Sequence, residues 1–98
     1  MLRHIVFFSV KESQSVERVR ELLSQLATIP AVRHLEVQPN IRKDQLSSEV
    51  DLVVYAEFED EAALEAYKAH PIYAETTRIV QPLRDLRLAA DVVAETAG

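Results

Sequence analysis

Two segments of this 98-residue chain are apolar on both faces of an extended strand, and they restrict the fold more than any other feature. The first is Leu2–Val10 and the second is Val50–Glu59. Their even positions are mostly apolar, and so are several odd positions: Ile5, Phe7, Val53 and Tyr55. A strand that is apolar on both faces is covered on both faces. We therefore expect both segments at the centre of a sheet.

Two further segments have helical periodicity. Apolar side chains recur at helical spacing in residues 16–26, and a second helical pattern follows residue 60. Each pattern begins after a residue that can cap a helix: Ser13 or Ser15 for the first, Asp60 for the second. His70-Pro71 interrupts the second pattern, because the residue before a proline avoids the α conformation and proline suits the first turn of a helix. We therefore expect a bent pair of helices, the later one over residues 71–81.

The other two predicted strands, Val32–Gln38 and Leu83–Val93, are more polar and therefore suit the edges of a sheet. The resulting element order, β-α-β-β-α-β, is typical of the ferredoxin-like fold. It predicts an α+β domain with an antiparallel four-stranded sheet in the order 4-1-3-2. We expect one domain over residues 1–98, with residues 94–98 as a frayed tail.

The composition argues against several classes of protein. The chain has no cysteine and therefore neither disulfides nor thiolate metal ligands, which fits a cytoplasmic location. Its single glycine is Gly98, so it has no glycine-rich phosphate-binding loop. A net charge of -5 without a basic cluster argues against a nucleic-acid partner. No apolar run reaches the roughly 20 residues that span a membrane. We predict no cofactor and no membrane partner.

Three carboxylates, Asp51, Glu57 and Glu59, share one face of the second central strand by parity. Such a set can bind a divalent ion or form an acid–base pair. More often, carboxylates of this kind are solvated or pair with arginines across a dimer. Because no clustered ligand spacing supports a metal, we predict no metal site.

The apolar odd positions of the central strands predict a homodimer. Two helices cover only one face of a four-stranded sheet, so Ile5, Phe7, Val53 and Tyr55 lie on the uncovered face. An apolar patch of this kind is usually an interface, and a two-fold dimer that packs sheet against sheet would bury it. The alternative is a monomer with a few exposed apolar residues, which proteins tolerate.

Four stretches carry a resemblance to known proteins: residues 3–6, 55–58, 64–71 and 80–83. The third contains the most specific element, Tyr67-Lys68-Ala69-His70-Pro71. Together they resemble the stress-responsive dimeric α/β-barrel (Dabb) family over nearly the whole chain, from Leu2 to Val93. The resemblance implies a ferredoxin-like protomer, a homodimer whose two sheets form a barrel, and a small pocket between each sheet and its helices.

The resemblance does not imply a single activity. Most Dabb members are small cytoplasmic proteins without an assigned role, and some plant members are linked to stress tolerance. One member is a polyketide cyclase that uses a tyrosine matching Tyr67 and a histidine at the position of Tyr73. The family's usual His-Pro-x-His is His70-Pro71-Ile72-Tyr73 in this chain. The cyclase's catalytic histidine is therefore missing, and we assign no catalytic residue.

Four residues are candidates for ligand binding: His4, Tyr67, His70 and Tyr73. His4 either contacts a carbonyl ligand or is a buried histidine with its own hydrogen-bond partner. Tyr67 is either a pocket wall or a core aromatic residue. His70 either joins Tyr67 in acid–base chemistry or caps the helix that follows, and its place before a proline favours the cap. Tyr73 can bond to a ligand or close the pocket, although a tyrosine is a poor base at neutral pH.

Three functions fit these residues. The one we favour is a homodimer that binds a small apolar or aromatic metabolite in the pocket. The alternative is a cofactor-free enzyme that acts on a carbonyl or polyketide-like substrate, of the cyclase, isomerase or monooxygenase type. The third is a structural stress protein in which the dimer itself is the function.

Overall fold

The computed structural model describes residues 1–95, apart from the side chain of Ser47. Its strands and α-helices follow the predicted order. They are β1 (Leu2–Val10), α1 (Val16–Ser24), β2 (His34–Pro39), β3 (Leu52–Phe58), α2 (Glu61–Ala69), α3 (Pro71–Val80) and β4 (Arg84–Val93). Short 3-10 turns cover Gln25–Thr28, Gln45–Ser47 and Gln81–Leu83. The predicted β-α-β-β-α-β order is therefore confirmed, with the second helical region divided in two.

The sheet is antiparallel throughout, and its strands lie in the order β2-β3-β1-β4. This is the predicted 4-1-3-2 order read from the other edge, so the ferredoxin-like fold is confirmed. The strands that are apolar on both faces, β1 and β3, occupy the centre, and the more polar β2 and β4 form the edges. The burial requirement of the central strands thus determines their position.

The helix boundaries follow from local capping. The Ser15 hydroxyl accepts a hydrogen bond from the backbone N–H three residues later at 3.2 Å, which selects Ser15 over Ser13 as the cap of α1. The Asp60 carboxylate caps α2 in the same way at 2.9 Å. His70 adopts an extended conformation, which ends α2 and allows Pro71 to begin α3.

Two strands begin two residues later than the alternation predicted. Before β2, the Val32 N–H donates to the Ile29 carbonyl at 3.0 Å and is therefore held in a turn. Before β3, the Val50 carbonyl accepts from the Asn40 side chain at 2.9 Å, which closes the loop between the strands. Side-chain and turn hydrogen bonds of this kind compete with the hydrogen bonds of the sheet. The alternation of apolar and polar residues does not reveal them.

The helices cover only one face of the sheet. On that face, Val6, Phe8 and Val54 are buried against apolar residues of α1, such as Leu23. On the other face, Phe7 is 37% exposed even though it lies on a central strand. This uncovered face carries the predicted interface residues, and the register adds three neighbours from β4. The row across the sheet is Val53, Phe7 and Leu88, and the parallel rows contain Tyr55, Ile5, Ala90 and Val92.

The chain still contacts the sheet directly after the end of β4. Ala94, the first residue of the predicted frayed tail, is buried, and its N–H donates to the Met1 carbonyl at 2.9 Å. Residues 96–98 lie outside the described residues, so fraying there stays a prediction. No helix in the described part of the chain is long and apolar enough to cross a membrane.

Candidate functional site

His4 is the buried polar residue at the centre of the helix-covered face. Its side chain is 2% exposed, and its Nδ1 donates to Asp91 Oδ1 at 2.5 Å. The antiparallel register of β1 and β4 places these two residues directly opposite each other. Asp91 therefore satisfies a ring nitrogen that would otherwise be buried without a partner, and it fixes the orientation of the imidazole.

Two aromatic side chains lie against the His4 ring, and a third packs on one of them. Phe58 and Tyr67 each lie edge-on to it, with ring centroids 6.1 Å away. Tyr67 also contacts Phe58 at 4.9 Å and Tyr73 at 5.0 Å. These separations are typical of favourable aromatic pairs. Because the chain turns at His70, tyrosines from two different helices, α2 and α3, meet over the sheet.

An enclosed cavity of about 20 Å³ lies within this cluster. His4, Tyr67, Tyr73, Thr77 and Arg87 contribute its polar lining, and apolar core residues complete it. A space of this size has room for about one water molecule. The predicted pocket between sheet and helices is therefore present, but its innermost part is too small for an aromatic metabolite.

A larger cleft opens directly outside the cavity, with a volume of about 430 Å³. Tyr73, Thr77 and Arg87 line both spaces and so form the boundary between them. Apolar side chains of the core, such as Phe8 and Leu23, extend along the floor. Pockets for small ligands usually measure about 300–1,000 Å³, so the cleft falls within the range for a small molecule.

Three of the four predicted ligand-binding residues thus come together and one does not. His4, Tyr67 and Tyr73 line the enclosed cavity, and Tyr73 also lines the cleft. His70 lines neither space, and its Nδ1 accepts the Ile72 N–H at 3.1 Å, which caps α3. We therefore leave His70 out of the site.

Sequence reasoning missed Asp91 as the partner of His4, and it assigned neither Arg84 nor Arg87 to the site. Arg87 pairs with Phe8 across β1 and β4, which places it on the helix-covered face of the sheet. The signal in the sequence is weak: Arg87 and Asp91 are charged residues four positions apart on an edge strand, with Ala89 between them on the same face. This pattern can be interpreted only once the register between β1 and β4 is known.

A family model for the stress-responsive A/B barrel domain matches residues 2–94. The chain belongs to the stress-responsive A/B barrel (Dabb) family. This confirms the resemblance found in the sequence. Among curated proteins, no match was found.

Solved structures show the same architecture. A dimeric ferredoxin-like protein of unknown function from Thermobifida fusca is 26% identical over 95% of this chain and 90% of its own, with a TM-score of 0.80. A Dabb family protein from Mesorhizobium loti is 28% identical over 97% of both chains, with a TM-score of 0.78. An antibiotic biosynthesis monooxygenase is 18% identical over 98% of this chain and 100% of its own, with a TM-score of 0.75, and it supports the fold alone.

In this Dabb domain, His70→Ala tests the capping role. Removing a helix N-cap costs about 1 kcal/mol of folding free energy, because one backbone N–H of the first turn loses its acceptor. We expect a modest loss of stability in urea denaturation and no change in ligand binding at the cleft. A substitution that keeps a cap, His70→Asn, should restore most of the stability. Loss of ligand affinity in both variants would return His70 to the site.

The burial of the Tyr67 phenol can be tested through the pH dependence of folding stability. Desolvation raises its pKa above the ordinary value, Tyr73 adds to the rise, and the Arg87 charge opposes it. In the unfolded chain a tyrosine ionises near pH 10. Above about pH 10 the unfolded state therefore loses a proton that the folded state keeps, so stability falls as the pH rises. We expect this fall to be steeper for the wild type than for Tyr67→Phe when unfolding free energies are compared from about pH 9 to pH 11. Parallel curves would contradict the burial of this hydroxyl.

Proposed function

We propose that this Dabb chain is a homodimer that binds a small apolar or aromatic metabolite in the cleft between its sheet and helices. The observation that most supports this is that the cleft and the small cavity adjoin each other. An open cleft of about 430 Å³ shares lining residues with a small, mostly apolar cavity that His4 and Tyr67 also line. Apolar walls with a few convergent polar groups are the usual composition of a ligand site.

Tyr73 has a central position in this proposal. Its ring packs against Tyr67, with the ring centroids 5.0 Å apart, and it lines both the cavity and the cleft. The ligand body occupies the cleft, since the cavity has room for only about one water molecule. Rotation of the Tyr73 side chain would join the two spaces and bring His4 and Tyr67 within reach of the ligand.

A set of small aromatic fragments, followed by two-dimensional NMR of the labelled protein, tests the site. We expect shift changes to concentrate on Tyr73, Thr77 and Arg87. Thr77→Phe places a ring at the boundary of the two spaces and should abolish these changes. Thr28→Phe is the matched control, because Thr28 is exposed and, like Thr77, donates its hydroxyl to a backbone carbonyl. Shifts that survive in Thr77→Phe, or that fall on the uncovered face of the sheet, would contradict the site.

The homodimer is supported by the uncovered sheet face. Ile5, Phe7, Val53 and Tyr55 lie there, and the more exposed Leu88 continues the patch along β4. Apolar surface of this extent on a sheet favours association with a second copy. The Thermobifida fusca relative is described as dimeric. A cytoplasmic location and the lack of a nucleic-acid partner stay predictions.

One observation favours the enzymatic alternative. Asp91 holds His4 Nδ1 at 2.5 Å, and the Tyr67 ring lies edge-on to the same imidazole. A buried imidazole and a phenol could move a proton on a carbonyl substrate without a cofactor. Turnover of a bound carbonyl compound that disappears in both His4→Ala and Tyr67→Phe would establish this function. Binding without turnover would leave the chain as a binding protein.

A further inference from the structure

The cleft is bordered by three cations that form no ion pair with another described residue. Lys68, Arg84 and Arg87 line it, and no carboxylate is among its lining residues. Within the described part of the chain, no Asp or Glu oxygen lies within 4.0 Å of any of these three side chains. Outside the cleft, Arg20, Arg42 and Arg78 have acidic partners.

The lining of the cleft is cationic although the chain as a whole is acidic. The chain has 16 acidic and 11 basic residues, so carboxylates are available in excess. A partly buried cation normally acquires a partner, because removing its charge from water costs free energy that pairing offsets. Arg84 and Arg87 are both half-buried. Among residues 1–95, no direct ion pair neutralises their positive charge at the cleft.

Arg87 connects the mouth of the cleft with its inner end. It lines both the open cleft and the enclosed cavity. Its charge lowers the pKa of the Tyr67 phenol, whereas burial raises that pKa. The Phe8, Leu23 and Val80 side chains lie along the same space and are apolar. The cleft thus combines an apolar floor with a cationic border, a combination that matches an amphiphilic anion.

We propose that the ligand of this cleft is a small amphiphilic anion, with an apolar or aromatic body on the Phe8 and Leu23 floor and a carboxylate or phosphate head bound by Arg84, Arg87 and Lys68. This rests on the proposed binding function and adds the charge of the ligand. Guanidinium groups bind both kinds of head through paired N–H···O hydrogen bonds. The proposed dimer interface lies on the opposite face of the sheet, so the cleft stays accessible in the dimer.

Three probes of similar size separate the effect of a charged head group from that of the aromatic body: phenylacetate, phenyl phosphate and the neutral phenylacetamide. Binding to the full chain is measured by NMR titration at low and high salt. We expect at least one anion to bind about tenfold more tightly than the amide, in line with hydrogen bonds to a charged group. Its affinity should fall with added salt, and the amide's should not. The tighter of the two anions identifies the head group.

Variants assign the effect to the cleft. Arg87→Gln and Arg84→Gln should each weaken anion binding about tenfold and leave amide binding unchanged. Arg78→Gln is the control, because it removes the same charge from an exposed, paired arginine outside the cleft. An equal loss in Arg78→Gln would overturn the proposal by showing a general charge effect. If the amide binds in the cleft as tightly as both anions, the anion proposal is wrong and the binding function stands. If none of the probes shifts the cleft residues, both proposals are wrong.

Discussion

Val53→Glu is expected to convert the protein from a dimer into a monomer. Val53 lies on the uncovered face of β3, directly opposite Phe7 on β1. In a two-fold dimer the substitution occurs in both copies, so two carboxylates enter one apolar interface. Uncompensated like charges at an interface cost several kcal/mol, which corresponds to more than a hundredfold in the dissociation constant. Phe7→Glu should have the same effect.

Sedimentation equilibrium at micromolar concentration measures this change. Val16→Glu is the matched control: Val16 and Phe7 are both 37% exposed, but Val16 begins α1, away from the uncovered face. An acidic residue is also favourable in the first turn of a helix, so this control should fold normally. A dimer that survives both Val53→Glu and Phe7→Glu would show that the chains associate through another surface.

Tyr67→Ala is expected to be the most destabilising change in the candidate site. The side chain is 1% exposed and contacts Phe58 and Tyr73. Truncating a buried aromatic residue to alanine costs about 3–5 kcal/mol, because apolar contacts are lost and a cavity remains. The new space would also join the enclosed cavity to the cleft.

Tyr67→Phe separates packing from chemistry at the same position. It retains the ring, and no hydrogen bond of the Tyr67 hydroxyl is found among residues 1–95. We therefore expect less than about 1 kcal/mol of destabilisation at neutral pH, measured by urea denaturation. Ligand affinity or substrate turnover should change in the same variant. A large loss of stability in Tyr67→Phe would instead identify the hydroxyl as a structural group.

The architecture was predictable because its determinants are local. Apolar residues on both faces of β1 and β3 require central positions, and the polar edges follow. The break at His70-Pro71 is equally local, since proline geometry and an imidazole cap act over two residues. The strand starts were less predictable, because the Asn40 side chain takes the Val50 carbonyl before β3 can begin.

The site was only partly predictable because its contacts depend on long-range register. His4 and Asp91 are far apart in the chain and meet only because β1 and β4 pair in one alignment. A register shift between Phe8 and Val10 then places Val10 opposite Arg84. Alternation alone shows that a residue faces the helices, but it does not show which residue lies opposite. The cationic border of the cleft therefore emerges from the structure rather than from the sequence pattern.

Native mass spectrometry of the protein purified from its own host tests the central claim most directly, because it weighs the assembly and its ligand together. We expect twice the 11.1 kDa chain mass, with a small additional mass on each protomer. The additional mass should be absent from Thr77→Phe and present in Thr28→Phe. A monomer, a dimer without added mass, or a ligand that persists in Thr77→Phe would contradict a dimer that binds a small molecule in this cleft.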